Sequence, residues 1–150
     1  MLGNGASGKS LFSRELSDAT GIPRTELDTI FWADGLVPTP PDKWREMQRD
    51  LACGSRWILD GDLGPFDALE VRLPRADTIV LFDIPTVVCA WRAVRRSRER
   101  LDFWRWLFTW RRQFRPEILD AIRAHAPAAE VPMVRSRADR NRVFSYLVRT

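Results

Sequence analysis

Residues 3–10 read Gly3-Asn4-Gly5-Ala6-Ser7-Gly8-Lys9-Ser10, the pattern G-x-x-x-x-G-K-S. No other stretch restricts the fold so tightly. Glycines let the backbone curl until successive N–H groups point inward at phosphate oxygens. Lys9 supplies an ammonium for those oxygens, and Ser10 a hydroxyl for a Mg²⁺ that accompanies them. Residues 11–19 look helical, so the loop opens onto a helix N-terminus whose dipole favours the same negative charge. A Gly-rich turn without a ligand is the alternative reading. A loop of this kind follows a buried strand and precedes a helix, which predicts an α/β chain.

Only Met1 and Leu2 stand where that strand belongs. A central strand so short leaves both neighbours unpaired, at ~1–3 kcal/mol for each orphaned backbone group. Several such groups rival the ~5–15 kcal/mol that holds a whole domain. The expectation is therefore a start upstream of Met1 and a native mass above 17.4 kDa.

A chain of 150 residues is enough for one domain with a single core. Its 45% hydrophobic and 29% charged content is ordinary for a soluble globular protein. No apolar run approaches the ~18 residues of a membrane span. Lys9 and the glycines occupy the place a signal peptide needs for its apolar segment. Membrane and secreted classes are thus excluded, and a cytoplasmic monomer is expected. Cys53 and Cys89 lack metal-type spacing and read as reduced thiols. His125 has no evident partner and reads as a helix-end residue. Net charge is +4, with Lys only at 9 and 43 and 22 arginines besides. Guanidinium grips planar oxyanions in bidentate fashion. GC-rich coding yields the same bias, so placement must decide its meaning.

Along the chain, Lys9–Thr20 reads as a helix stopped by Gly21 and Pro23. Residues 24–27 read as a brief strand presenting Asp28 at its carboxyl end, where open α/β sheets bind ligands. A turn or cap aspartate is the alternative there. Residues 33–41 read as a loop, and Pro41 or Asp42 starts a helix reaching about Ala52. Trp57-Ile58-Leu59-Asp60-Gly61-Asp62 is an apolar run closed by acids. Asp60 is the candidate for the Mg²⁺-associated carboxylate, with Asp62 near enough to assist, against a plain turn aspartate. Residues 63–73 read as a short helix or loop carrying Arg72. Thr78–Asp83 is almost uninterruptedly apolar, as a buried parallel strand is. Pro85 opens a helix from about Thr86 to Arg100, with Val87, Val88, Trp91 and Val94 as its apolar positions. A further helix reaches about His125, Val131–Val134 reads as an edge strand because of Pro132, and a last helix runs to Leu147.

Between Arg92 and Arg115 nine arginines stand against Glu99 and Asp102. Three readings compete for this stretch: a short lid at about 92–115 that grips nucleotide phosphates, a nucleic-acid surface with tryptophans stacking on bases, or solvated surface over a tryptophan core. Beside a phosphate loop, the electrostatic needs of phosphoryl transfer favour the lid.

The stretches G-N-G-A-S-G-K-S, E-L-D-T-I-F-W, W-I-L-D-G-D, V-R-L-P-R-A-D-T-I-V-L-F-D-I-P and V-R-S-R-A-D together resemble the bacterial adenylate-kinase-like P-loop proteins, often labelled "topology modulation protein" or "adenylate kinase". The resemblance spans essentially the whole chain. It implies one three-layer domain of the nucleoside-monophosphate-kinase type, with the loop strand in the middle of a five-stranded parallel sheet. ATP and Mg²⁺ are the implied cofactors. Gly3, Asn4, Gly5, Ala6, Ser7, Gly8, Lys9, Ser10 and Leu11 would bind ATP, and Ser10 with Asp60 would serve the metal. Asp28 would face the acceptor, Arg72 would meet an acceptor phosphate, Arg92 and Arg96 would act from the lid, and Arg135 and Arg137 would border the adenine. Position 11 is Leu where a second hydroxyl is common in the family.

Two functions follow as expectations. One is an enzyme, with Lys9, Asp28, Arg92 and Arg96 as the catalytic set, passing the ATP γ-phosphate to a small acceptor, first of all a nucleoside monophosphate. In it Asp28 is alternatively the base toward a hydroxyl acceptor. The other is a nucleotide-dependent regulatory protein acting on DNA.

Overall fold

The computed structural model describes residues 1–33, 37–96 and 101–149. Five parallel strand segments organise it. β1 (Leu2–Gly3) pairs with β6 (Leu81–Phe82), and β6 with β7 (Met133–Val134). β2 (Arg24–Glu26) pairs with β5 (Ile58–Asp60), setting Glu26 opposite Asp60. Met1 stitches the two sets together. Its nitrogen donates to Leu59 O at 2.8 Å, and its carbonyl accepts from Gly61 N at 3.3 Å. That alternation is a parallel ladder with Met1 opposite Asp60. The strands thus run in the order β2-β5-β1-β6-β7, the loop strand is central, and every carboxyl end points the same way. β7 lies at the edge, where its preceding Pro132 is tolerated. Elsewhere, Trp32–Ala33 (β3) and Val37–Pro38 (β4) make a small antiparallel ribbon within the expected loop.

The apolar run before Asp83 is explained by the layers. Ile79 and Leu81 face one side with Leu2, Trp110, Ile118 and Ile122, while Val80 and Phe82 face the other with Phe12, Leu16 and Val143. A strand covered on both faces has no polar side to alternate with. Helix α1 (Lys9–Thr20) and the C-terminal α8 (Arg137–Leu147) cover one face, and α7 (Phe114–His125) the other. A third cluster, Leu27, Phe31, Trp44, Leu59 and Leu63, lies under α2 (Leu27–Phe31) and α3 (Pro41–Leu51).

One expectation needs correction. The second strand ends at Glu26, so Asp28 sits in the first turn of α2. Leu27 and Phe31, one helical turn apart, are both buried, and Thr29 Oγ1 donates to Glu26 O at 2.7 Å; a continuing strand would send them to the same face without that turn. The helix α5 (Thr86–Arg96) packs through its small residues. Cys89 and Ala93 are fully buried, whereas Val87, Trp91 and Val94 are exposed. Small side chains allow close approach to the loop region, and this outweighs the larger apolar stripe.

Candidate phosphate-loop site

The loop between β1 and α1 adopts the left-handed turn that glycine makes easy. Gly8 has φ 98° immediately before the helix. Gly3, at φ 135°, passes so close to β6 that a Cβ would lie 2.4 Å from Phe82 O. Lys9 Nζ donates to Gly3 O at 2.5 Å and Asn4 O at 3.0 Å, which holds the ammonium over the loop. Asn4 is buried. Its Oδ1 accepts from Gly5 N at 2.8 Å, and its Nδ2 donates to Leu107 O at 3.0 Å. Arg92 Nη1 donates to Ser7 O at 2.9 Å. The loop is therefore clamped from α5 and from α6 (Leu101–Thr109). The latter clamp is tight: a Cβ on Gly5 would lie 2.5 Å from the Phe103 ring and 2.7 Å from Trp106.

Asp60, at the carboxyl end of β5, is buried. Its Oδ2 accepts from Arg24 Nη2 at 2.8 Å and from Ser13 Oγ at 2.9 Å. Ser13 Oγ in turn accepts from Arg24 Nε at 2.6 Å and lies 3.2 Å from Ser10 O, so Ser13 links the two expected metal residues. Burial raises the Asp60 carboxyl, but the Arg24 hydrogen bond, Lys9 and Ser13 outweigh it and hold its pKa below the ordinary value. Asp28 behaves oppositely. It is exposed to solvent at the start of α2. Desolvation pushes its carboxyl up, Lys9 offsets part of this, and Asp60, Glu26 and Asp62 add to the rise.

The remaining expected residues fall as follows. Leu11 is exposed. Arg72 is 4% exposed, and its Nη2 is engaged by Asp67 Oδ2 at 2.6 Å and Gly61 O at 3.0 Å. Arg135 Nε lies 3.5 Å from Asp83 Oδ2, and Arg137 is exposed at the start of α8. The side chain of Arg96 lies outside the described residues. Asp62 accepts from Trp110 Nε1 at 2.8 Å and from Gly64 N at 3.1 Å.

Sequence reasoning missed Ser13, Arg24 and the knot at Asp83. Ser13 had a signal, one helical turn beyond Ser10 on the face toward the loop. Arg24 shares a face of β2 with Glu26, two residues on. Asp83 is buried at the end of β6, with Arg111 at 3.1 Å and Arg115 at 3.2 Å on its two oxygens. Nothing local announced that those arginines meet it.

The residues fit the phosphate chain and metal that the loop implies. Helix α1 starts without a side-chain cap. Two buried oxygens, Ser7 Oγ and Asp60 Oδ1, lack protein partners. Among the described residues no group of three or more His, Cys, Asp or Glu could cage a metal. Mg²⁺ keeps waters and takes phosphate oxygens beside one or two protein ligands, a number that Ser10 and Asp60 would supply.

The chain superposes on the crystal structure of an unliganded sugar kinase from Janibacter sp. HTCC2649, with a TM-score of 0.61 and 19% identity over 97% of this chain and 90% of that one. No protein-family model and no curated protein matches the sequence. At that identity the likeness shows the fold: a kinase-like α/β fold with a parallel sheet. Among the described residues, no helix is long and apolar enough to cross a membrane.

Proposed function

We propose that this chain is an ATP- and Mg²⁺-dependent phosphotransferase that moves the γ-phosphoryl group to an oxygen of a small acceptor. The observation that carries the reading is Lys9, its ammonium suspended on Gly3 O and Asn4 O over an uncapped helix start. Phosphate oxygens replace those two carbonyls as partners, and the backbone N–H groups of residues 8–11 complete the cradle. Ser10 and, through water, Asp60 would hold Mg²⁺, which neutralises charge developing between the phosphates. Arg92 reaches the same loop from α5 and needs only to leave Ser7 O to face phosphate. Positioning and charge neutralisation would supply most of the rate.

The resemblance points to a nucleoside monophosphate as acceptor, and the fold neighbour is described as a sugar kinase. The arginine-rich stretch supports a lid over the donor: α6 already packs on the loop through Phe103 and Trp106. For a nucleic-acid surface the stretch offers Trp91 and Phe108, which are exposed, whereas Trp110 is buried and bonded to Asp62. ADP release from Mg-ATP, followed across nucleoside monophosphates and small hydroxyl compounds, tests the reading. Acceptor-dependent turnover that falls at least about 100-fold in Lys9→Ala is the expected result. ATP binding without any acceptor-dependent turnover would end it.

A further inference from the structure

Helix α5 turns apolar side chains toward solvent as well as toward the core. Val87, Trp91 and Val94, spaced i, i+4 and i+7, are 79%, 59% and 61% exposed, while Cys89 and Ala93 fill the opposite face. A helix packed on one side ordinarily presents polar residues on the other. Helix α6, which packs against α5, repeats the pattern. Its Leu101, Arg105 and Phe108 share one exposed face, with Leu101 at 89%. The second observation is charge. Within the two helices Arg92, Arg95, Arg96 and Arg105 stand against one acid, Asp102. The Arg95 guanidinium lies 4.7 Å from the centroid of the Trp91 ring, and both side chains are exposed.

We propose that the exposed stripe of α5, with the start of α6, docks on an anionic lipid bilayer, so that the protein lies on a membrane surface without crossing it. Apolar side chains flanked by arginines are the makeup of helices that rest at the headgroup level. Val87, Trp91, Val94 and Leu101 enter the boundary between headgroups and acyl chains. Arg95 and Arg105 meet lipid phosphates, with their stems laid along the apolar stripe. A nucleic acid answers the same charge but not the aliphatic side chains, because Val87, Val94 and Leu101 have no ring on which a base can stack. A second copy of the chain answers the apolar stripe but not the charge, because a two-fold contact sets arginine against arginine. No helix among the described residues is long and apolar enough to cross a membrane, and a contact of this kind needs none.

The full chain is mixed with vesicles of phosphatidylcholine alone, and of phosphatidylcholine with about one third phosphatidylglycerol, and binding is read by cosedimentation. The expected result is binding at least about 10-fold tighter to the anionic vesicles, weakening as salt rises. Val87→Asp combined with Val94→Asp should abolish it while the urea unfolding midpoint moves little, because both side chains are exposed. Arg95→Gln should weaken it about 5-fold, the worth of one cation at such a surface. Tryptophan emission should shift to the blue on binding, and Trp91→Phe should remove part of that shift while binding persists. Equal binding to both vesicles, or to neither, overturns the proposal, as does undiminished anionic binding by the double variant. Tighter binding of oligothymidylate than of anionic vesicles, lost in the same double variant, overturns it in favour of a nucleic acid. A dimer that the double variant dissociates, without vesicle binding, overturns it in favour of a second copy.

Discussion

At the carboxyl ends of β2 and β5, Glu26 and Asp60 share Arg24, and Asp28 follows in the first turn of α2. At the ends of β6 and β7 a single buried carboxylate, Asp83, holds Arg111, Arg115 and Arg135, with Arg92 nearby on the loop. One half of the sheet edge has spare negative charge and the other spare positive charge, with the phosphate loop between them. A reaction that joins a polyanionic donor to a hydroxyl has the same asymmetry. Under the proposed phosphotransfer, the arginine half would face the nucleotide and the carboxylate half the group that loses a proton.

Asp28→Asn strikes the acidic half most directly. It should lower kcat about 10²–10⁴-fold, the usual worth of a positioned base, with little change in ATP affinity. An unchanged kcat would remove Asp28 from the chemistry. The same half predicts a separation along the pH axis. Asp28 is raised, so the base is lost to protonation at a higher pH than an ordinary aspartate would be. Asp60 is lowered, so its contribution to stability is present above the ordinary carboxylate range and vanishes only as pH falls through its depressed folded value. On acidification, activity should disappear before the fold does. Parallel rate and circular-dichroism titrations read both, and coincident losses would contradict the contrast.

Gly5→Ala tests the loop between the halves. The added Cβ meets Phe103 and Trp106 at 2.5–2.8 Å, so α6 must shift. The expected loss is about 1–3 kcal/mol in urea unfolding. On the basic side, Asp83→Asn leaves three guanidinium groups without their common anion. All three are partly exposed, so the cost should be near 1–2 kcal/mol, and less at high salt. Arg135→Ala should matter least, under about 0.5 kcal/mol, because its pair is long at 3.5 Å and the side chain is 58% exposed.

Most of this framework was legible in the sequence, for reasons that differ by element. The turn from β1 into α1 was legible because Gly3, pressed on Phe82, and Gly8, at positive φ, stand where only glycine fits easily. The run ending at Asp83 was legible because two-sided burial removes polar alternation. The buried face of Thr86–Arg96 was not legible, because Cys89 and Ala93, which form it, are small and carry little apolar signal. Asp28 was placed at a strand end rather than in a helical turn because one turn of helix is too short for its period to show. Arg72 looked available for an acceptor because its partner, Asp67, precedes it by five residues, a spacing that regular helix or strand would not bring together. The contacts of Asp83 with Arg111 and Arg115 depend on tertiary crossings that no local pattern encodes.

Trp106 touches both sides of this arrangement. Its ring lies against the Gly5 position of the phosphate loop, and its Nε1 lies 3.1 Å from where a Cβ on Gly64 would stand, in the turn after Asp62. The protein thus has a built-in optical reporter. Indole emission is sensitive to local polarity and nearby charge, so nucleotide in the loop should alter the fluorescence of Trp106 without any added dye. The part of the signal lost in Trp106→Phe gives a titration of the loop alone, independent of turnover and of the acceptor's identity.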